Sequence, residues 1–321
     1  MGGYSVKSFG REMAIAGRFG ATSRTDSYIA GYLIPNFIMV LLNAGLVNVY
    51  APLFISELKL GEREAWEKIN SISTYLMLIL LIVIACGMVL SPYIVKALYP
   101  GFDGVRREAT VSISRLFYLG VFIYCGAIIE GSILNCYRQF IYPTVSIALL
   151  SGGTIISVLA FGRISDINSI AYGYIGGASA ALILQHIKIK RIGGRLKANL
   201  TPHREFGGKF LRLLFPVLVS TSMSQANVFV DRIFASYLRE GSMSYLTYAD
   251  RIIEIPIVFF SGIITTVIFP DLIEYASNDD MKRLRIYFNR SLVIMLAFLI
   301  PSCVGLDALS REVVGLIFQR S

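Results

Sequence analysis

Eight stretches of twenty or more mostly apolar residues recur along the chain: Ser27–Ser56, Ser71–Leu90, Val111–Asn135, Phe140–Phe161, Ile167–Ile187, Phe210–Leu238, Tyr245–Tyr275 and Ile286–Leu309. A helix rises about 1.5 Å per residue, so about twenty such residues cross a hydrocarbon layer roughly 30 Å thick. Residues 3–19 form a weaker, amphipathic ninth segment. The expectation is therefore an all-α, polytopic membrane protein of about nine transmembrane helices. Composition agrees. Only 16% of residues are charged and mean hydropathy is +0.63, whereas soluble domains carry about a quarter charged residues. Prolines 35, 143, 216, 256 and 301 fall inside the spans; membrane helices tolerate them, and they mark bends near cavities.

The net charge of +9 would suggest nucleic acid in a soluble protein. Here the excess lies in short loops, where it reads as topology and contact with anionic lipid. No nucleic-acid partner is expected. With the first helix starting in the cytoplasm, loops on that side hold fourteen Lys and Arg against eight on the other, which places the N-terminus inside a cytoplasmic membrane. The longest basic loop, residues 191–209, divides the chain into 1–190 and 210–321. Ala16, Ala30 and Ile34 match Ala235, Ala249 and Ile253 at a constant offset of 219, which Glu12 and Asp231 share. Such a repeat is how many transporters are built, with substrate held between the halves.

Enzyme and cofactor signatures are missing. No Gly-x-Ser-x-Gly, nucleotide loop or His-Glu-x-x-His occurs. The four cysteines are scattered and distant in sequence from both histidines, so neither a disulfide framework nor a zinc site is expected. Met1–Gly20 lacks a clean apolar core and carries Lys7, Arg11, Glu12 and Arg18, unlike a cleavable signal peptide. The glycine-rich runs Ser151-Gly152-Gly153 and Gly176-Gly177-Ala178 suit close helix packing.

Ionisable residues inside apolar helices are costly in lipid and mark pathways or binding sites. Asp250 and Arg251 stand out. They sit in Tyr245-Leu-Thr-Tyr-Ala-Asp-Arg-Ile-Ile-Glu-Ile-Pro256, directly before an apolar run. Glu130 lies mid-span with Arg138 or another helix as its expected partner. Asp26 follows Thr25 at a helix start, where it either caps that helix or joins a gate.

Several blocks together resemble one family. Gly20-Ala21 through Thr25-Asp26, Pro35-Asn36 and Pro52 resemble the first two helices of the MurJ/MviN lipid II flippases, members of the multidrug/oligosaccharidyl-lipid/polysaccharide exporter superfamily. Gly131-Ser-Ile-Leu-Asn135, Arg138, Phe140 and Pro143 fit the junction of its fourth and fifth helices. Ser224-Gln225, Asp231, Ile233-Phe-Ala-Ser236, Gly241-Ser242, Tyr248-Ala-Asp-Arg251 and Pro256 fit its seventh and eighth, and Leu316–Arg320 the segment after its ninth.

The resemblance implies a two-lobe helix bundle around a cavity. This chain would hold the first lobe and an incomplete second one, as a fragment or shortened relative. It implies flipping of lipid II, or another polyprenyl-pyrophosphate-linked saccharide, by alternating access. Membrane lipids and cell-wall synthesis proteins are the other expected partners. Coupling would be to sodium or membrane potential, with no cofactor. Arg251 is the first choice for binding the diphosphate, because guanidinium stays charged and bonds phosphate in pairs; Asp250 would hold it. Arg11 and Glu12 match an Arg–Asp pair on the family's first helix, the alternative being an ordinary cytoplasmic flank. Asp231 is a candidate sodium ligand, the alternative being a salt bridge to Arg232. One departure stands out. Where the family carries an arginine just after Pro-Asn, this chain reads Phe37-Ile38-Met39-Val40, so the substrate differs, another residue compensates, or flipping is lost. The rival readings are a small-cation antiporter of the superfamily and a non-transporting membrane scaffold.

Overall fold

The computed structural model describes residues 2–162, 167–264, 268–310 and 312–313. The segment Leu316–Arg320 and the loop residues Arg163 and Arg311 lie outside them. Among the described residues every regular element is helical: α1 (Gly2–Phe19), α2 (Ser23–Gly45), a π-helical turn (Leu46–Tyr50), α3 (Ala51–Leu58), α4 (Glu62–Leu98), α5 (Gly104–Cys136), α6 (Ile141–Phe161), α7 (Asn168–Arg191), α8 (Arg204–Ala235), α9 (Ser242–Ile263), α10 (Phe269–Ser277) and α11 (Met281–Ala308). Among the described residues, six stretches are long and apolar enough to cross a membrane: Ser23–Leu58, α4, α5, α6, α8 and α11. Two of the eight expected spans fall short of that measure. Charge explains α9, which carries Asp250, Arg251 and Glu254; in α7, whose charges lie only at its end, the glycines, serines and tyrosines together with Gln185 and His186 make the helix less apolar. The stretch expected as Tyr245–Tyr275 is described as α9 and α10, on either side of residues 265–267.

The chain divides into two compact units. The larger, Ala21–Ser244, is organised around α5, which packs against α2, α4, α6 and α7. Its start is fixed by Asp103, whose carboxylate accepts from the backbone N–H of Arg106 at 2.9 Å, the usual remedy for orphan donors at a helix N-terminus. An aromatic cluster ties three helices together: Phe117 of α5 meets Tyr28 and Tyr32 of α2 and Tyr174 of α7, with ring centroids 5.7, 4.8 and 5.4 Å away. A second apolar cluster gathers Tyr50, Phe54, Trp66, Ile69 and Ile133, with the Trp66 indole donating to the Tyr137 hydroxyl at 3.1 Å.

The basic loop that follows α7 lies along α4. Asn70 and Ser71 donate to the carbonyls of Arg195 and Thr201 at 2.6 and 2.7 Å. Tyr75 donates to the Leu200 carbonyl at 2.8 Å, and the Asn199 amide donates back to the Thr74 hydroxyl at 3.0 Å. Side chains of α4 thereby satisfy backbone groups that have no ladder of their own.

Helices α6 and α7 approach most closely where glycines face each other. A Cβ on Gly153 would lie 2.7 Å from the Gly173 carbonyl oxygen, and one on Gly177 would lie 2.6 Å from that of Leu149. Gly152 and Gly176 face open space instead, so one glycine of each pair makes the contact. Gly177→Val is expected to destabilise the protein by about 2 kcal/mol, because backbone cannot move aside as a side chain can. Gly176→Val should cost far less. Thermal unfolding in detergent compares them, and equal melting temperatures would refute this account of the interface.

The smaller unit comprises residues 1–20 and 245–321. Within it α10 packs on α11, Phe260 of α9 stacks on Phe298 of α11 at 5.9 Å, and Asp280 caps α11 by accepting from the Arg283 N–H at 3.0 Å. The Tyr248 hydroxyl donates to the carbonyl of Gly20 at 3.2 Å, joining α9 to the end of α1.

Candidate functional site

The smaller unit contains two arginine–glutamate pairs on helices. On α9, Arg251 donates through Nη1 to the Glu254 carboxylate at 2.8 Å; the two side chains are 28% and 45% exposed. Arg251 Nε is buried and has no acceptor. On α1, Arg11 Nη2 donates to the carboxylate of Glu12 at 2.9 Å, with the side chains only 11% and 4% exposed. A guanidinium presents five donors in a planar fork. The bond to Glu254 occupies one edge of the Arg251 fork and holds the group in place without neutralising its donor capacity. Asp250, the expected holder, is exposed on α9. Glu254 was not singled out in the sequence, although its distance of three residues from Arg251 places it on the same helix face.

Asp26 lies elsewhere, in the larger unit. It is buried, and its carboxylate accepts from the backbone N–H groups of Gly241 and Ser244 at 2.6 and 2.9 Å and from the Ser244 hydroxyl at 2.6 Å. The expected local cap is therefore corrected. Thr22 caps α2 through its side-chain oxygen, whereas Asp26 caps α9 from a distance of more than two hundred residues in sequence. The donors are the N–H of Gly241, immediately before α9, and the orphan N–H of Ser244 in its first turn, and the negative charge suits the positive end of that helix. Gly241 has φ +86°, a left-handed conformation that glycine adopts without steric cost.

Asp231 is exposed on α8. Among the described residues no group of three or more His, Cys, Asp or Glu comes together, so they assemble no cation site of acidic and imidazole ligands around it. The buried neighbour is Arg232, which donates to the Met243 carbonyl at 3.4 Å. Glu130 of α5 pairs with His186 of α7 at 2.8 Å, so its partner comes from another helix and is not Arg138. Glu130 also lines a cavity of about 490 Å³ with Asn70, Ser73 and Thr74. No spacing rule links two groups brought together by the crossing of separate helices.

A family model described as lipid II flippase MurJ matches residues 15–321. The chain belongs to the MurJ family. A probable lipid II flippase MurJ of Rickettsia prowazekii is 27% identical over 317 residues, covering 97% of this chain and 62% of that protein. The corresponding protein of Thermotoga maritima is 26% identical over 312 residues, with 96% and 62% covered. This chain thus spans less than two thirds of the length of these relatives. Among solved structures, lipid II flippase MurJ in an inward closed conformation superposes with TM-score 0.79 at 22% identity, over 98% of this chain and 65% of that one. An inward-facing multidrug-resistance MATE transporter of the MOP superfamily gives 0.78 at 17% identity, over 98% and 72%.

Proposed function

We propose that this chain takes part in moving lipid II, or a closely related polyprenyl-pyrophosphate-linked saccharide, across the bacterial cytoplasmic membrane. The observation that carries the reading is the Arg251–Glu254 pair: a part-buried guanidinium in an apolar helix, oriented by one carboxylate and with the buried Nε lacking an acceptor. A diphosphate leaving water loses hydration, and guanidinium donors replace it with charge-assisted bonds. Arg11 with Glu12 supplies a second group of the same kind on α1. In this reading residues 1–190 and 210–321 are the two lobes, the basic loop 191–209 and the N-terminus face the cytoplasm, and access alternates as the lobes rock. Glu12, Glu254 and Asp250 keep the arginines from binding the head group too tightly to release it. A cation antiporter is disfavoured because such a site needs acids without paired guanidiniums.

The test is binding, then translocation. The full chain in proteoliposomes should bind lipid II saturably, in competition with polyprenyl pyrophosphate, and should expose a fluorescent lipid II to the opposite leaflet. Lack of competition by the pyrophosphate would remove the proposed role of the arginines.

A further inference from the structure

A cavity of about 620 Å³ lies between the C-terminal part of α4 and the N-terminal parts of α5 and α7, lined by Pro92, Arg107, Glu108, Arg115, Asn168 and Tyr172 among others. It belongs wholly to the larger unit and contains none of the residues discussed above. Two arginines of α5 enter it. Arg107 donates through Nη2 to the Phe102 carbonyl at 3.1 Å, and its Nε is buried without an acceptor. Arg115 donates through Nε to the Met88 carbonyl at 3.3 Å. Both guanidiniums are thus fixed by neutral backbone oxygens, and neither has a carboxylate partner among the described residues. The nearby acid Asp103 is committed to Arg106, at 2.9 Å to its N–H and 3.3 Å to its Nε.

The position of these charges is unfavourable as it stands. Arg107, the fourth residue of α5, is a cation in the first turn, where it opposes the helix dipole, and its buried Nε without an acceptor is a further cost. Both costs are relieved by one anion. The same cavity also offers acceptors: Glu108, and the Oδ1 of Asn168, which is buried and has no donor. Tyr172, which lines the cavity, is 51% exposed, and Tyr93, next in sequence to the lining Pro92, is 72% exposed, as expected of surface that meets acyl chains beside membrane-spanning helices. The ligand that fits carries one phosphodiester, hydroxyl donors and an apolar tail.

We propose that this cavity is a binding site for the head group of an anionic glycerophospholipid of the phosphatidylglycerol class. The phosphodiester sits between Arg107 and Arg115, and the glycerol hydroxyls donate to Asn168 and Glu108. The arginines are eight residues apart, about 12 Å along the axis, and both line this one cavity. A zwitterionic ethanolamine head group would leave the arginine excess uncompensated.

The experiment is native mass spectrometry of the purified full chain equilibrated with mixed vesicles of phosphatidylglycerol and phosphatidylethanolamine, with inorganic phosphate as a separate competitor. Retention of phosphatidylglycerol should exceed that of phosphatidylethanolamine by about tenfold, the worth of one charge-assisted hydrogen bond. Arg107→Gln with Arg115→Gln should abolish that preference. Arg107→Lys with Arg115→Lys keeps the charge, removes the fork and should lower it partway. Fluorescence of the sole tryptophan, Trp66, reports whether each variant folds. Equal retention of the two lipids by the unaltered chain would overturn the proposal, whatever the variants do. A preference untouched in a folded double variant would also overturn it, as would displacement of the lipid by millimolar phosphate, which indicates a simple ion site.

Discussion

On the proposed function, Arg251→Ala is expected to slow lipid II translocation by about 30-fold, within the range set by losing one or two hydrogen bonds to a charged group. The argument starts from the environment of the side chain. Its Nη1 is held by Glu254 at 2.8 Å, while Nε is buried and without an acceptor. Removing the guanidinium therefore takes away a positioned anion ligand and leaves the Glu254 carboxylate uncompensated in an apolar helix. A negative charge then stands where a diphosphate should settle, so binding suffers from both attraction lost and repulsion gained. Arg251→Lys should recover part of the rate, because a point charge still attracts phosphate but cannot offer two parallel bonds. Arg251→Ala combined with Glu254→Gln should recover part of it too, by removing the repulsion. Initial rates in proteoliposomes of equal protein content are the measurement. An unchanged rate in Arg251→Ala, with the protein folded, would end the assignment of the diphosphate to this residue.

The helices were legible because their signal is local. Apolar runs of membrane-spanning length and a charge-poor composition leave little alternative to a helical membrane protein. The glycine runs were legible for the same reason, though not which glycine of each pair makes the contact: that depends on the rotation of α6 against α7, which places Gly153 and Gly177 inward. Arg251 was legible as an ionisable group in an apolar helix. Its partner Glu254 lies three residues on, a spacing that places the two side chains on one helix face, which the adjacent Asp250 does not share. The Glu130–His186 pair and the Asp26 cap were not legible, because each joins segments far apart in sequence. Asp26 is the instructive case. Thr25-Asp26 at a helix start reads as a local cap, and a cap is what Asp26 is, but for a different helix.

Asp26→Ala is expected to destabilise the folded protein by about 3 kcal/mol, the largest stability effect anticipated for a single polar side chain here. Three donors lose their acceptor together: the N–H groups of Gly241 and Ser244 and the Ser244 hydroxyl. The Ser244 N–H belongs to the first turn of α9 and has no intrahelical partner, and the Gly241 N–H immediately precedes that turn. Replacing an ordinary capping side chain costs about 1 kcal/mol when water can take its place. Here Gly241, Ser244 and Asp26 are all buried, so water cannot, and the helix also loses a negative charge at its positive end. Asp26→Asn should cost less, because the amide oxygen still accepts while its NH2 faces a donor. Ser244→Ala, which removes the hydroxyl alone, should cost about 1 kcal/mol. The order Asp26→Ala, then Asp26→Asn, then Ser244→Ala is the expected ranking of losses in melting temperature. If Asp26→Ala melted with the unaltered protein, the carboxylate would not be holding the start of α9. That matters beyond stability, because the helix whose start Asp26 holds is the one that carries Arg251, about two turns after Ser244.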